Sequence, residues 1–150
     1  PMLRSILSVI VSYIAMFIFI VVTFMGLWFG MGVDGLLQPG SYKGNMLLCI
    51  AVPSITIIAG ILGGWLCFKI ARGRKPVMVL AGIVFVLGAI TAYFTLQKPE
   101  LTGTRPAGMK VQELMEKGRE PTWVAVSNPI IGALGVLVGG LCLCAPRKPT

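Results

Sequence analysis

The chain has 150 residues, of which 56% are hydrophobic and only 12% are charged, and its mean hydropathy is +0.89. These values exclude an ordinary water-soluble domain and predict a single membrane domain of helices over residues 1–150. The net charge of +8 does not indicate nucleic-acid binding, because its densest part, Arg72, Arg74 and Lys75, lies between two apolar stretches, as topogenic loops of membrane proteins do.

The first apolar stretch runs from Ile6 to Phe29 and predicts a membrane-spanning helix. About 20 residues suffice to cross a hydrocarbon core ~30 Å thick, and this stretch is too long for the apolar region of a cleaved secretory signal. A glycine-rich loop, 30–45, follows it. Beyond a turn signal at Gln38, Pro39 and Gly40, this loop carries no functional signal.

The second predicted span, Met46 to Ile70, contains a series of small or kink-forming residues at spacings of three and four. The series is Cys49, Pro53, Thr56, Gly60, Gly63 and Cys67, with Gly64 adjacent. Membrane helices pack through such small-residue seams, so we expect the series to face another helix. Ala59 and Gly63 mark a second small face, which places the helix either in the middle of the bundle or against another protein. The basic loop that follows, with Arg72, Arg74 and Lys75, is expected to contact anionic lipid headgroups.

The third predicted span, Val77 to Leu96, continues the small-residue pattern less strictly, with Gly88 at its centre. The long loop 97–122 then predicts a short amphipathic helix that lies on the membrane surface or caps the bundle. Its signals are a helix start at Thr104 and Pro106, an apolar face of Val111, Leu114 and Met115, and a stop at Gly118.

The fourth predicted span, Trp123 to Cys144, carries a second seam formed by Asn128, Gly132, Gly135 and Gly139. Pro129 releases the carbonyl of Ala125 from its helical hydrogen bond, and Ser127 and Asn128 add polar side chains beside it. These residues are a candidate polar site, with a cavity expected between the second and fourth spans. A kink with hydrogen bonds between helices explains the same residues, and we favour that interpretation.

The distribution of charge predicts the orientation of the chain. Basic residues without acidic neighbours cluster at the N-terminus, in the loop 71–76 and at the C-terminus, whereas all five acids lie on the opposite side. The positive-inside rule therefore places both termini in the cytoplasm, and we expect a bacterial inner membrane. The predicted fold is an all-α, antiparallel bundle of four transmembrane helices.

Several classes of chemistry have no candidate residues in this sequence. It contains no histidine, and no acid lies inside a predicted span, so we expect neither a catalytic site, nor a metal site, nor a cofactor. The four cysteines are interpreted as small buried residues. We therefore expect a non-catalytic accessory subunit of a larger membrane complex, possibly an energy-converting one, or a self-associating protein. The alternative is a small transporter or channel for a neutral or apolar solute.

The predicted topology is testable with reporters fused at Gly73 and at Gly108. We expect the two fusions to report opposite sides of the membrane, with Gly73 in the cytoplasm. Reporters that read only on one side of the membrane give the measurement, and identical readings from both positions would overturn the four-span topology.

Overall fold

The computed structural model describes residues 2–99, 101–106, 108–118 and 120–143. It is about 81% helical and confirms the all-α fold. The helices are α1 (Met2–Leu36), α2 (Met46–Ala71), α3 (Arg74–Gln97), α4 (Val111–Lys117) and α5 (Thr122–Leu137), the last continued by a π-helical turn, Val138–Cys142. In the described residues, α1, α2, α3 and α5 with its π-helical turn are long and apolar enough to cross a membrane. The protein is thus an integral membrane protein.

The helix boundaries differ from the predicted spans mainly in the first helix. α1 continues to Leu36, although its backbone leaves helical geometry at Gly32, where φ is 68°. The extension forms because Leu36 and Leu37 are completely buried, so the segment predicted as a loop belongs partly to the core. The predicted end of the fourth span, Cys144, lies outside the described residues.

The short amphipathic helix is present, but it begins later than predicted. α4 starts after Lys110, and Thr104 does not cap it. Leu114 is buried and Val111 is half-buried, while nothing is described for the side chain of Met115. The helix packs against α1 and covers one end of the bundle.

The two ends of the bundle differ in charge. The basic end carries the N-terminus of α1, the C-terminus of α2 and the N-terminus of α3. Arg4, Lys69, Arg72, Arg74 and Lys75 lie there. The Arg4 Nε atom donates to the Ile70 carbonyl oxygen at 2.7 Å, and so satisfies a free carbonyl at the end of α2. We call the opposite end, with segments 37–45 and 98–121, the loop end.

α2 and α5 form the centre of the bundle and are the most closely packed pair. A Cβ atom added to Gly60 would lie 2.7 Å from the Gly132 carbonyl oxygen, and one added to Gly135 would lie 2.8 Å from the Ile57 carbonyl oxygen. These separations are shorter than van der Waals contact, so the two backbones touch directly and leave no room for a larger side chain.

The small-residue series of α2 divides between two neighbouring helices. Gly60 and Gly64 face α5, whereas Gly63 faces the side chain of Met16 on α1. Cys67 also faces α1, where its thiol donates to the Ser8 hydroxyl oxygen at 3.8 Å. Both small faces of α2 therefore pack against helices of the same bundle. The second small face is thus explained by the position of α2 in the middle of the bundle.

Two clusters of buried side chains hold the ends of the bundle. The basic-end cluster joins α1, α2, α3 and α5 through Val9, Met16, Cys67, Val77, Leu80, Ala81 and Val136. The loop-end cluster contains Trp28, Leu36, Leu37, Leu48, Val52, Leu114 and Val124. Since α3 contributes to the first cluster but not to the second, α1 and α3 pack together only toward the basic end.

The contact between α2 and α5 predicts that Gly135→Leu destabilises the protein strongly. The added side chain must separate the two backbones, and overpacking costs about 1 to 3 kcal/mol, with a glycine contact at the upper end or beyond. Thermal melting in mild detergent measures the effect. Val138→Leu is the control, since Val138 is 42% exposed on the surface of the bundle. Equal melting temperatures for the two variants would contradict the assignment of Gly135 to a close contact between α2 and α5.

Candidate functional site

A cleft of about 1010 Å³ opens between α1 and α3 in the loop-end half of the bundle. It exists because these two helices diverge beyond the basic-end cluster, and because α1 does not pack directly against α5 in the described part of the chain. Its volume lies at the upper limit of ordinary small-molecule sites, which span about 300 to 1,000 Å³. The cleft is therefore large enough to be a binding site.

α2 and α5 form the floor of the cleft. The floor residues are Val52, Ile55, Thr56, Ala125, Asn128, Pro129 and Gly132. We expected a cavity between the second and fourth spans. The cleft lies instead beside the contact between α2 and α5, because their glycines bring the two backbones too close to leave space between them.

α1 and α3 form the two walls, and both are open to the membrane. Phe17 on α1 and Leu87 on α3 line the cleft, yet they are 60% and 40% exposed. Side chains that face both the cleft and the outer surface mark a lateral opening. At the foot of the α3 wall, Gly88 lies against Pro129, with 3.0 Å between a Cβ added to the glycine and the proline Cβ.

The depth of the cleft follows from the α3 residues that line it, which run from Val84 to Thr95. At a rise of 1.5 Å per residue this stretch measures about 16 Å. The hydrocarbon core of a bilayer is ~30 Å thick, so the cleft extends through about one leaflet.

Asn128 supplies a buried polar group on the floor. Its Oδ1 atom is buried and has no hydrogen-bond partner among the described residues. A buried acceptor without a donor costs about 1 to 3 kcal/mol. The residue lines the cleft, but this oxygen is enclosed by protein atoms and lies out of reach of a bound molecule.

The threonine hydroxyl groups that α2 and α3 contribute to the cleft already have partners. Thr56 Oγ1 donates to the Val52 carbonyl oxygen, and Thr91 Oγ1 donates to the Leu87 carbonyl oxygen, both at 2.9 Å. Each bond lies within the residue's own helix, as is usual for threonine in apolar helices. These side chains present methyl groups and a weak acceptor, so the lining is mostly apolar.

Charged side chains from three different segments surround the mouth of the cleft. They are Lys43, Lys98, Lys117, Glu116 and Glu120. In the described residues the salt bridge found is that of Asp34 with Arg105, so none of the three lysines is paired with a carboxylate there. The mouth is therefore positively charged.

Glu120 differs from an ordinary surface carboxylate. It lies just before α5, outside the membrane-spanning segments, and burial raises the pKa of its side chain above the usual value because the charged form loses hydration. The group thus binds a proton more readily in the folded protein than in the unfolded chain.

The predicted polar site is only partly in the cleft. Asn128 and Pro129 line it, but Ser127 does not, and its hydroxyl donates to the Val124 carbonyl oxygen at 3.2 Å. Of the seam residues, Thr56, Gly88 and Gly132 also line the cleft. The grouping of charged residues at the mouth was not predicted, because they come from α4 and from loop segments whose relative positions have no local signal. Thr91 and Thr95, four apart on α3, were a signal that the sequence analysis missed.

Other predicted residues lie away from the cleft. Arg72, Arg74 and Lys75 are exposed at the basic end, where lipid headgroups would be within reach. Cys49 lies against the loop-end cluster, and Cys67 lies at the basic end. In the described part of the chain, no three His, Cys, Asp or Glu side chains come together in a way that could hold a metal ion.

Comparison with known proteins gave no relative from which a function could be transferred. The chain matches no protein-family model, and no curated protein or solved structure matches it. The geometry of the cleft is thus the basis for a functional proposal.

The raised pKa of Glu120 predicts a pH-dependent stability. Below the ordinary glutamate value of 4.5 the carboxyl is protonated in both states. As the pH rises from there through the raised folded-state pKa, the unfolded chain ionises first and the folded protein loses stability. Glu120→Gln should therefore melt at a higher temperature than the wild type at neutral pH, and this difference should vanish at acidic pH.

Melting curves in mild detergent across this pH range provide the measurement. Glu116→Gln is the control for the loss of one negative charge, since Glu116 is exposed at the same mouth. A Glu120→Gln advantage that persists at acidic pH would show that the carboxyl is not the cause.

Proposed function

We propose that this protein is a non-catalytic membrane carrier that binds a small neutral or apolar solute in the cleft between α1 and α3. The observation that carries the proposal is the cleft itself, which reaches about one leaflet into the bundle and ends at Asn128. An apolar lining with one orienting polar group is the usual composition of small-molecule sites.

The packing of the basic end favours a carrier over an open channel. Val9, Leu80 and Ala81 are buried there, and together with the rest of the basic-end cluster they close the bundle below the cleft. A solute bound at Asn128 is thus open to one side in this conformation. Passage to the other side would require α1 and α3 to separate at the basic end.

The lining also supports a function without catalysis. Activated nucleophiles need a base within hydrogen-bonding distance, and the hydroxyls of Thr56 and Thr91 are bonded to backbone carbonyls of their own helices instead. The two carboxyl groups, Glu116 and Glu120, lie at the mouth and not on the floor beside Asn128. Binding and release remain as the activity that these residues serve.

A second candidate is an accessory or self-associating subunit in a membrane complex. Its support comes from α1, where Gly26 and Gly30 are exposed, four residues apart, with open space around the position of an added Cβ atom. Glycines at this spacing allow close approach of another membrane helix. The positive-inside rule favours a cytoplasmic location for the basic end in either case.

Native mass spectrometry of the protein released from mild detergent tests the carrier. We expect a non-covalent adduct of solute size on the wild type and a weaker one in Ala92→Phe, because Ala92 lines the cleft and the added ring narrows it. Ala89→Phe is the matched control, because Ala89 is exposed on α3 and does not line the cleft.

The same spectra separate the two candidates. Equal adducts in both variants would refute binding in the cleft. An added mass of protein size on the chain, unaffected by Ala92→Phe, would favour the accessory subunit instead.

A further inference from the structure

The cleft resembles a binding site for a molecule that enters from the bilayer and not from water. Its lateral edges, Phe17 and Leu87, are exposed on the surface of the bundle, and its depth of about 16 Å is close to the thickness of one leaflet's hydrocarbon. A lipid in that leaflet has its acyl chains at the same depth as the walls. It needs only to move sideways to enter.

The charges at the mouth lie where such a lipid has its headgroup. Lys43 belongs to the segment between α1 and α2, Lys98 follows α3, and Lys117 ends α4, so three separate elements each contribute a lysine to the lining of the cleft. No carboxylate of the described residues pairs with them. The acids at the mouth are Glu116 and Glu120, which leave an excess of one positive charge even when both are ionised.

We propose that the cleft binds an anionic membrane phospholipid from the loop-end leaflet, with an acyl chain along the floor and the phosphate at Lys43, Lys98 and Lys117. This inference rests on the proposed function, because it needs the cleft as a binding site. It replaces the small neutral solute by a lipid whose acyl chain is the apolar part that the lining accepts. A cationic rim above an apolar groove is the arrangement that complements an anionic amphiphile.

The burial of Glu120 agrees with this assignment. An ionised carboxylate beside a phosphate would repel it, whereas a carboxyl whose pKa is raised by burial carries less negative charge near the headgroup. Asn128 lies deeper, beside the acyl-chain region, and its Oδ1 atom is enclosed by protein atoms.

A photocrosslinking experiment tests the proposal on the full chain in vesicles of dioleoyl phosphatidylcholine. The probe is phosphatidylglycerol with a diazirine at the end of one acyl chain, and adducts are located by mass spectrometry of peptides. We expect adducts at Met16 and Val84, which line the deep part of the cleft. Ile18 and Val86, at similar depth but each 55% exposed on the outer surface, report ordinary lipid contact.

Competition and variants then test the headgroup. Unlabelled phosphatidylglycerol should reduce the cleft adducts severalfold more than phosphatidylcholine with the same chains. K43Q/K98Q/K117Q should abolish this preference, while adducts at Ile18 and Val86 stay unchanged. A melting temperature equal to that of the wild type shows that the variant is folded. Lys110→Gln is the control for charge at the same end, because Lys110 is exposed and does not line the cleft.

Two results would overturn the inference, and each has a different consequence for the proposed function. Cleft adducts that both lipids reduce equally would remove the headgroup selection but keep the cleft as a binding site. Adducts at Met16 and Val84 no stronger than at Ile18 and Val86 would exclude a bound lipid. The proposed function would then stand or fall on whether Ala92→Phe weakens the solute adduct.

Discussion

The direct backbone contact between α2 and α5 is the constraint on which the rest of this structure depends. Gly60 and Gly64 face Gly132, Gly135 and Gly140, and no side chain separates the two helices. In a bilayer there is no hydrophobic force between helices, so this close packing is a main source of their association. It also makes α2 and α5 a single central layer, and α1 and α3 pack against the two sides of this layer.

The cleft forms because of the way in which α1 and α3 pack against the central pair of helices, α2 and α5. α1 and α3 converge where Val9, Val77, Leu80 and the other residues of the basic-end cluster fill the space between them. At the other end, the loop-end cluster contains Leu36, Leu37 and Leu114, and no described residue of α3 belongs to it. One face of α3 is therefore not packed at the loop end. The floor formed by α2 and α5 is exposed between the diverging helices α1 and α3.

The chemistry of the cleft is passive because its polar groups are largely satisfied. Threonine hydroxyls bond to carbonyls one turn earlier, and the exception on the floor is the Asn128 oxygen, beside a proline that interrupts the helix bonds of α5. Loop segments and α4 then add charge at the mouth, where burial favours the protonated form of Glu120. The same opening therefore combines an apolar interior with a polar, positively charged rim.

The sequence by itself determined the four spans, the all-α fold and the presence of a short amphipathic helix, since long apolar runs and glycine spacing are local signals. Only the tertiary structure decided that Gly60 and Gly64 face α5 while Gly63 faces α1, because a spacing of three or four residues fits either face of a helix. It also decided that Leu36 and Leu37 are core residues and that Lys43, Lys98 and Lys117 meet at one opening. Burial and proximity of this kind depend on partners far away in the chain, which no local pattern specifies.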